Sequence, residues 1–167
     1  MPERIFNYEK DNHNAHFNSS YLMKKQDYNC RIIVNTTPQK TLEGILQVSR
    51  WWTNDLRGNS EKINDEFIIQ HGDIHYSKHK LVENVPGKKL VWLITESNLN
   101  WLKNNKHEWT NTRTIFELKP KGDLTVIHFT HEGLIPEMEC YYRCVESWDL
   151  VIKERLFDYL NGRIEPD

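Results

Sequence analysis

Apolar positions alternate with polar ones through most of this chain, then change to a three-and-four spacing near its C-terminus. Short alternating runs bounded by Gly, Pro, Asn or Asp predict strands. They cover residues 29–35 around Ile32-Ile33-Val34, then 65–70, 74–85, 88–95, 110–118 and 124–132, about six strands in all. The connections His71-Gly72-Asp73, Pro86-Gly87 and Pro120-Lys121-Gly122-Asp123 are hairpin-short, so neighbouring strands are expected to pair antiparallel. Thr37-Pro38 opens a short helical segment after the first strand, with Pro in its first turn. That segment carries Leu42, Ile45, Leu46 and then Trp51-Trp52 toward the core. The polar, Asn-rich stretch from Glu96 to His107 reads as a loop holding Trp101-Leu102.

The C-terminal pattern is helical. Pro136 suits a first helical position, Glu137 and Glu139 complement the positive dipole end, and Gly162 stands where a left-handed stop is expected. At about 100° per residue, Met138, Tyr141, Val145, Trp148, Ile152, Leu156 and Tyr159 form one stripe, with Arg143, Glu146, Lys153 and Glu154 opposite. Such a helix, about 37 Å long at ~1.5 Å per residue, crosses a whole sheet. Arg155 falls inside the apolar stripe and Leu150 and Phe157 fall on the polar side. Arg155 is read as snorkelling or binding, and the other two as a partner contact. The class is α+β: a curved antiparallel sheet wrapped around one long C-terminal helix.

Composition narrows the function more than the fold. With 167 residues the chain is one domain's worth. Residues 1–26 lack a period and read as a poorly ordered lead-in, 1–22 being dispensable, before a single domain over 27–167. Twenty-two basic against 24 acidic residues, a net −2 with no strongly basic stretch, argues against nucleic acid. Three cysteines and no signal-like N-terminal run point to a reduced, cytoplasmic protein. Apolar runs such as Leu90-Val91-Trp92-Leu93-Ile94 are far short of the roughly 20 residues of a membrane span.

Several pieces of the chain, taken in order, carry a resemblance. They are Trp51-Trp52, the hairpin Val82-Glu83-Asn84-Val85-Pro86-Gly87-Lys88-Lys89-Leu90-Val91-Trp92, Phe116-Glu117-Leu118, and Thr130-His131-Glu132-Gly133-Leu134. Trp148, Leu156, Tyr159, Leu160 and Gly162 complete the series. Over residues 29–162 the chain resembles the helix-grip superfamily of START domains and birch-pollen allergens (SRPBCC), and within it the bacterial family related to the activator of the heat-shock-protein-ninety ATPase. It departs from that pattern in Ser147, where Gly often precedes the helix Trp, in the 96–107 insertion and in its lead-in. The resemblance implies a space between helix and sheet that takes small apolar molecules; it implies no particular reaction.

Candidate chemistry is sparse. His71, His75 and His79 are spaced by four but straddle a turn and a strand, and they read as structural or surface residues rather than zinc ligands. Cys140 and Cys144 lack a Cys-His context and read as packing residues. No Gly-rich phosphate loop or dinucleotide fingerprint is present, and neither a cofactor nor a metal is expected. The family pattern turns Thr125, Ile127, Phe129 and His131 toward the helix, where His131 either orders the turn or meets a ligand as hydrogen-bonding group or base.

The tryptophans suggest a binding site. Trp51, Trp52, Trp92, Trp109 and Trp148 either line the space between sheet and helix or fill it, with Trp101 at its mouth. In the lining reading Phe67, Ile69, Phe116, Ile127 and Phe129 add apolar wall from the strands. Tyr141, Val145 and Ile152 add it from the helix, and Arg155 or His131 meets a polar head. Three functions stay open: a module for a small hydrophobic or amphipathic ligand, a cavity enzyme using His131, and an interaction module or homodimer through Leu150 and Phe157.

Overall fold

The structure, a computed structural model, describes residues 26–164. The lead-in expected over residues 1–26 lies almost wholly outside the described residues. Seven antiparallel strands form one sheet: β1 Tyr28–Val34, β2 Arg57–Gly58, β3 Glu66–His71, β4 His75–Val85, β5 Lys89–Leu99, β6 Arg113–Lys121 and β7 Leu124–Glu132. Their spatial order is β1-β7-β6-β5-β4-β3-β2. Six of the seven coincide with the alternating runs. The seventh, β2, is two residues long, too short to carry a period, and pairs Arg57 with Ile68 and Gly58 with Phe67.

Alternation decides what each strand buries. Tyr28, Cys30, Ile32 and Val34 of β1 face inward, as do Thr125, Ile127, Phe129 and His131 of β7, the face expected to meet the helix. Helix α1 (Pro38–Leu46) is capped by the Thr37 hydroxyl, which accepts from the Lys40 N–H, and is followed by α2 (Val48–Trp51). The Trp51 indole N–H donates to the Ile45 carbonyl oxygen at 3.0 Å and ties the two together.

Two regions depart from the sequence reading. Strand β5 continues through Glu96–Leu99, which read as loop, because the same residues pair with β4 in the register His75–Leu99, Tyr76–Asn98, Ser77–Ser97 and Lys78–Glu96. The long β4–β5 hairpin thus carries one end of the sheet out beside the C-terminal helix. That helix, in turn, does not start at Pro136. It runs as α3 (Tyr141–Trp148), a π-helical stretch (Asp149–Leu156) and α4 (Phe157–Leu160).

The late start has a tertiary cause. Glu108, in the loop before β6, offers both carboxylate oxygens to the N–H groups of Glu139 (3.0 Å) and Cys140 (2.9 Å). Reciprocally, the Glu139 carboxylate accepts from the N–H groups of Lys103 and Asn104 and from the Asn104 amide. The Asn-rich loop and the helix start cap one another, and the backbone from Ile135 to Cys140 follows that clamp in turns rather than a helix.

The π-helical stretch explains the misfits of the helical wheel. Each of its turns holds more residues than an α-turn, so it advances by less than about 100° per residue. Trp148, Ile152 and Leu156, four apart, stay on the buried face, while Arg155 rotates out into solvent. Leu150 is 42% exposed, and Phe157 is half-buried with the Arg163 guanidinium 5.1 Å above its ring. The stretch is pinned at its start: the Tyr28 hydroxyl donates to Asp149 Oδ1 at 2.6 Å, and Lys153 Nζ pairs with the same oxygen at 2.9 Å.

The clamp at the helix start yields a prediction. Glu108→Ala leaves the Glu139 and Cys140 N–H groups without their carboxylate and is expected to cost about 1–2 kcal/mol in urea unfolding. Faster amide hydrogen exchange over 103–108 and 138–141 than over β7 would locate the effect.

Candidate functional site

The interior between helix and sheet is packed with rings. Trp52 lies 5.1 Å from Trp148 and stacks on Trp51 at 5.6 Å, and Trp92 meets Phe67 and Phe116 edge-to-face at 5.1 and 5.3 Å. Phe129 contacts Trp148 at 4.7 Å. Trp51, Phe67, Trp92, Phe116, Ile127, Phe129 and Ile152 are all within this buried core. The space under the helix is therefore largely filled by its own side chains.

What stays open is a groove of about 490 Å³ beside the helix. Trp52, Ile69, Trp109 and Trp148 reach it from the core, and the β3–β4 turn contributes His71, Ile74 and His75. Trp101 enters from the Asn-rich loop, while Arg143, Cys144, Glu146, Ser147, Leu150 and Val151 come from the helix. Trp109 and Trp148 stack nearly parallel, 5.6 Å apart at 6°, and the Arg143 guanidinium lies 5.1 Å over Trp101. Tyr141 and Val145, on the flank of α3, are half-buried and do not line the groove. Leu150, expected as a partner contact, lies on its rim.

Arg155 belongs to a different hollow. Its Nη1 donates to the Trp52 carbonyl oxygen at 3.3 Å, and with Arg50, Trp51, Trp52, His71 and Tyr159 it borders a polar depression of about 560 Å³ further along the helix. The two hollows share Trp52 and His71.

His131 is sealed in the core, and its tautomer follows from its partners. The Trp148 indole N–H can only donate, and it does so to His131 Nδ1 at 3.0 Å. The ring proton therefore sits on Nε2 and is donated to Thr112 Oγ1 at 2.8 Å, and that hydroxyl donates to the Trp109 carbonyl oxygen at 2.5 Å. Burial holds the His131 pKa down at about 3, so the ring is neutral. Both nitrogens are engaged, and none is left for a substrate. Thr112 approaches this closely because residue 133 is Gly: a Cβ there would lie 2.8 Å from Thr112 Cγ2, and its φ is +96°.

A second polar chain runs along β4. Period-two alternation puts His75, Ser77 and His79 on one face, and the serine hydroxyl sits between the imidazoles, 2.9 Å from His75 Nε2 and 2.8 Å from His79 Nε2. His79 is fully buried, stacked on Phe67 at 4.9 Å and 5.1 Å from Trp52; its Nδ1 has no partner among the described residues. His75 meets Trp109 edge-to-face at 5.0 Å and lies 5.8 Å from the His71 ring. Burial, then the neighbouring His71, holds the His75 pKa at about 4, and burial, with His75 and His131 nearby, holds His79 well below the usual histidine range. The His-x-Ser-x-His spacing was visible in sequence. Its serine link is not part of the sequence reading, which takes these histidines as structural or surface residues and weighs only a metal against that. Among the described residues no cluster of three or more His, Cys, Asp or Glu could hold a metal ion.

The buried neutral histidines predict an acid-sensitive fold. An unfolded His131 takes up its proton near pH 6.5, the folded one not until about pH 3, so the unfolded state binds more protons in between. Stability should fall as pH drops through that window, by up to about 1.4 kcal/mol per pH unit for each such histidine. Denaturation midpoints at pH 7.5, 6 and 5 check this. Thr112→Val, which strips the acceptor from His131 Nε2–H, should cost about 1–3 kcal/mol at pH 7.5.

No protein-family model matches the chain and no curated protein matches it by sequence. Solved structures do match it. The Aha1 dimer from Colwellia psychrerythraea is 20% identical with a TM-score of 0.67, over 84% of this chain and 99% of that one. A protein from Chromobacterium violaceum is 15% identical with a TM-score of 0.60, over 84% and 97%. A protein described as putative in the dynemicin biosynthetic locus is 13% identical with a TM-score of 0.54, over 79% of this chain and 46% of that one. The curved antiparallel sheet closed by one C-terminal helix is thus the helix-grip fold, shared with the Aha1 protein whose family this sequence resembles.

Proposed function

We propose that the protein is a non-enzymatic module that binds a small, largely apolar or amphipathic molecule in the groove between the C-terminal helix and the β3–β4 hairpin. One observation carries this reading: four indoles, those of Trp52, Trp101, Trp109 and Trp148, converge on a groove of about 490 Å³ while the surrounding interior is filled. That volume is in the range that holds small organic ligands, roughly 300–1,000 Å³, and aromatic walls with few polar points suit an apolar one. Ile74, 62% exposed at the rim, and Leu150 extend the apolar surface outward. Among the described residues no helix is long and apolar enough to cross a membrane. The three described cysteines are buried and unpaired, which supports a reducing, cytoplasmic setting.

The enzyme reading rested on His131 and draws no support from a ring whose two nitrogens are both bonded. A homodimer is the second reading, since the Aha1 neighbour is described as a dimer and Leu150 is exposed. Phe157, half-buried beneath Arg163, contributes less to such a contact than its sequence position suggests.

Titrating intrinsic tryptophan fluorescence with fatty acids, flavonoids, sterols and polycyclic aromatics tests the first reading. Saturable quenching is expected, and Ser147→Phe, an exposed helix position at the groove, should weaken it at least about tenfold without lowering the melting temperature. Undiminished binding by that variant would move the ligand elsewhere. Sedimentation of the wild type and Leu150→Glu separates the second reading: a dimer lost in the variant, with no ligand bound by either, would favour association over ligand binding.

A further inference from the structure

The chain His75–Ser77–His79 ends in the groove at one end and in a dead end at the other, and that asymmetry sets its polarity. A serine hydroxyl has a single proton, so it donates to one imidazole and accepts from the other. If it donated to His79, the His79 proton would sit on Nδ1, a bare N–H sealed against Phe67 and Trp52. If it donates to His75, His79 keeps its proton on Nε2 and leaves only a lone pair unpaired. Buried N–H groups without partners are rarer than under-satisfied acceptors. The second arrangement is favoured: His79 Nε2–H donates to Ser77 Oγ, whose hydroxyl donates to His75 Nε2. The His75 proton is then on Nδ1, the one ring nitrogen of that groove-lining residue without a partner among the described residues.

We propose that His75 is the polar anchor of the groove, its Nδ1–H donating to the oxygen of a planar aromatic ligand that carries a neutral carbonyl. This deepens the ligand-binding reading and rests on it. Aromatic, flat character follows from the walls: the indoles of Trp52, Trp101, Trp109 and Trp148 border the groove together with the His75 ring and offer ring surface to a flat ligand. Neutrality follows from the charges. His75 is held uncharged at neutral pH, the Arg143 guanidinium already faces Trp101, and Glu146 brings a carboxylate to the same groove. A ligand carboxylate hydrogen-bonded to His75 would meet an uncharged imidazole there, in a groove whose one guanidinium among the described residues, Arg143, is balanced by the Glu146 carboxylate.

The test uses three ligands on one ring system: fluorenone, fluorene and fluorene-9-carboxylate. Wild type should bind the ketone about fivefold or more tightly than the hydrocarbon, one neutral hydrogen bond's worth, and the acid no better than the hydrocarbon. His75→Phe should erase the ketone preference while still binding fluorene. Ser77→Ala, which frees the tautomer, should reduce the preference, read as the ratio of ketone to hydrocarbon affinity in that variant. Nitrogen-15 NMR of histidine-labelled wild type reads the tautomer without any variant, and protonated Nδ1 at His75 is expected. A proton found on Nε2, or a ketone preference surviving His75→Phe, would overturn the anchor. Equal binding of ketone and hydrocarbon by wild type would overturn it while leaving the groove reading intact, whereas no binding of any probe would count against both.

Discussion

Trp148 stands at the centre of the molecule, and its indole N–H, buried with the ring, needs a hydrogen-bond partner. The hydrogen bond to His131 Nδ1 answers that need and, in doing so, sets the histidine tautomer and orders Thr112, whose hydroxyl reaches the Trp109 carbonyl. Helix, β7 and the turn before β6 are joined through this one chain. The Trp92 and Trp109 N–H groups, by contrast, are buried without partners among the described residues, held by packing alone. Because Trp109 stacks on Trp148, the groove wall inherits its position from the same hydrogen bond.

The groove owes its existence to two further devices at the helix. Reciprocal capping between Glu108 and Glu139 brings the Asn-rich loop, with Trp101, against the helix start. The π-helical stretch then keeps Trp148, Ile152 and Leu156 inward and turns Leu150 and Arg155 outward, Leu150 to the groove rim and Arg155 to a separate hollow. Such stretches are uncommon and recur at functional sites. Here it lies beside the groove, tied to β1 through Tyr28 and Asp149.

These features separate two kinds of polar residue. His131 is consumed by the fold, with every hydrogen-bonding position used. The line from His79 to His75 is only half consumed, because the inner end is sealed and the outer end opens where the indole walls meet. A histidine pattern can thus serve the core at one position and a surface groove two pleats away, with the strand's alternation carrying the connection.

Much of the architecture was legible without coordinates. Alternating runs marked six strands because a half-buried sheet face enforces period two, and the family pattern turned toward the helix the face of β7 that is buried. The order of elements and the series from Trp51-Trp52 to Gly162 pointed to the helix-grip fold, now matched by solved structures. The site was less legible. Arg155 read as part of the apolar stripe because a helical wheel assumes a constant turn, and the π-helical widening is invisible to it. Glu96–Leu99 read as loop because their strand pairing comes from β4, not from their own composition. Whether tryptophans fill a space or line one depends on how far apart the backbones stand, and that distance is set jointly by the helix clamp, the hairpin and the loop. Local pattern, a property of near neighbours in the chain, determined the strands and their buried faces; tertiary contacts between residues far apart in sequence decided where the helix begins, which side chains it turns inward, and where the groove stays open.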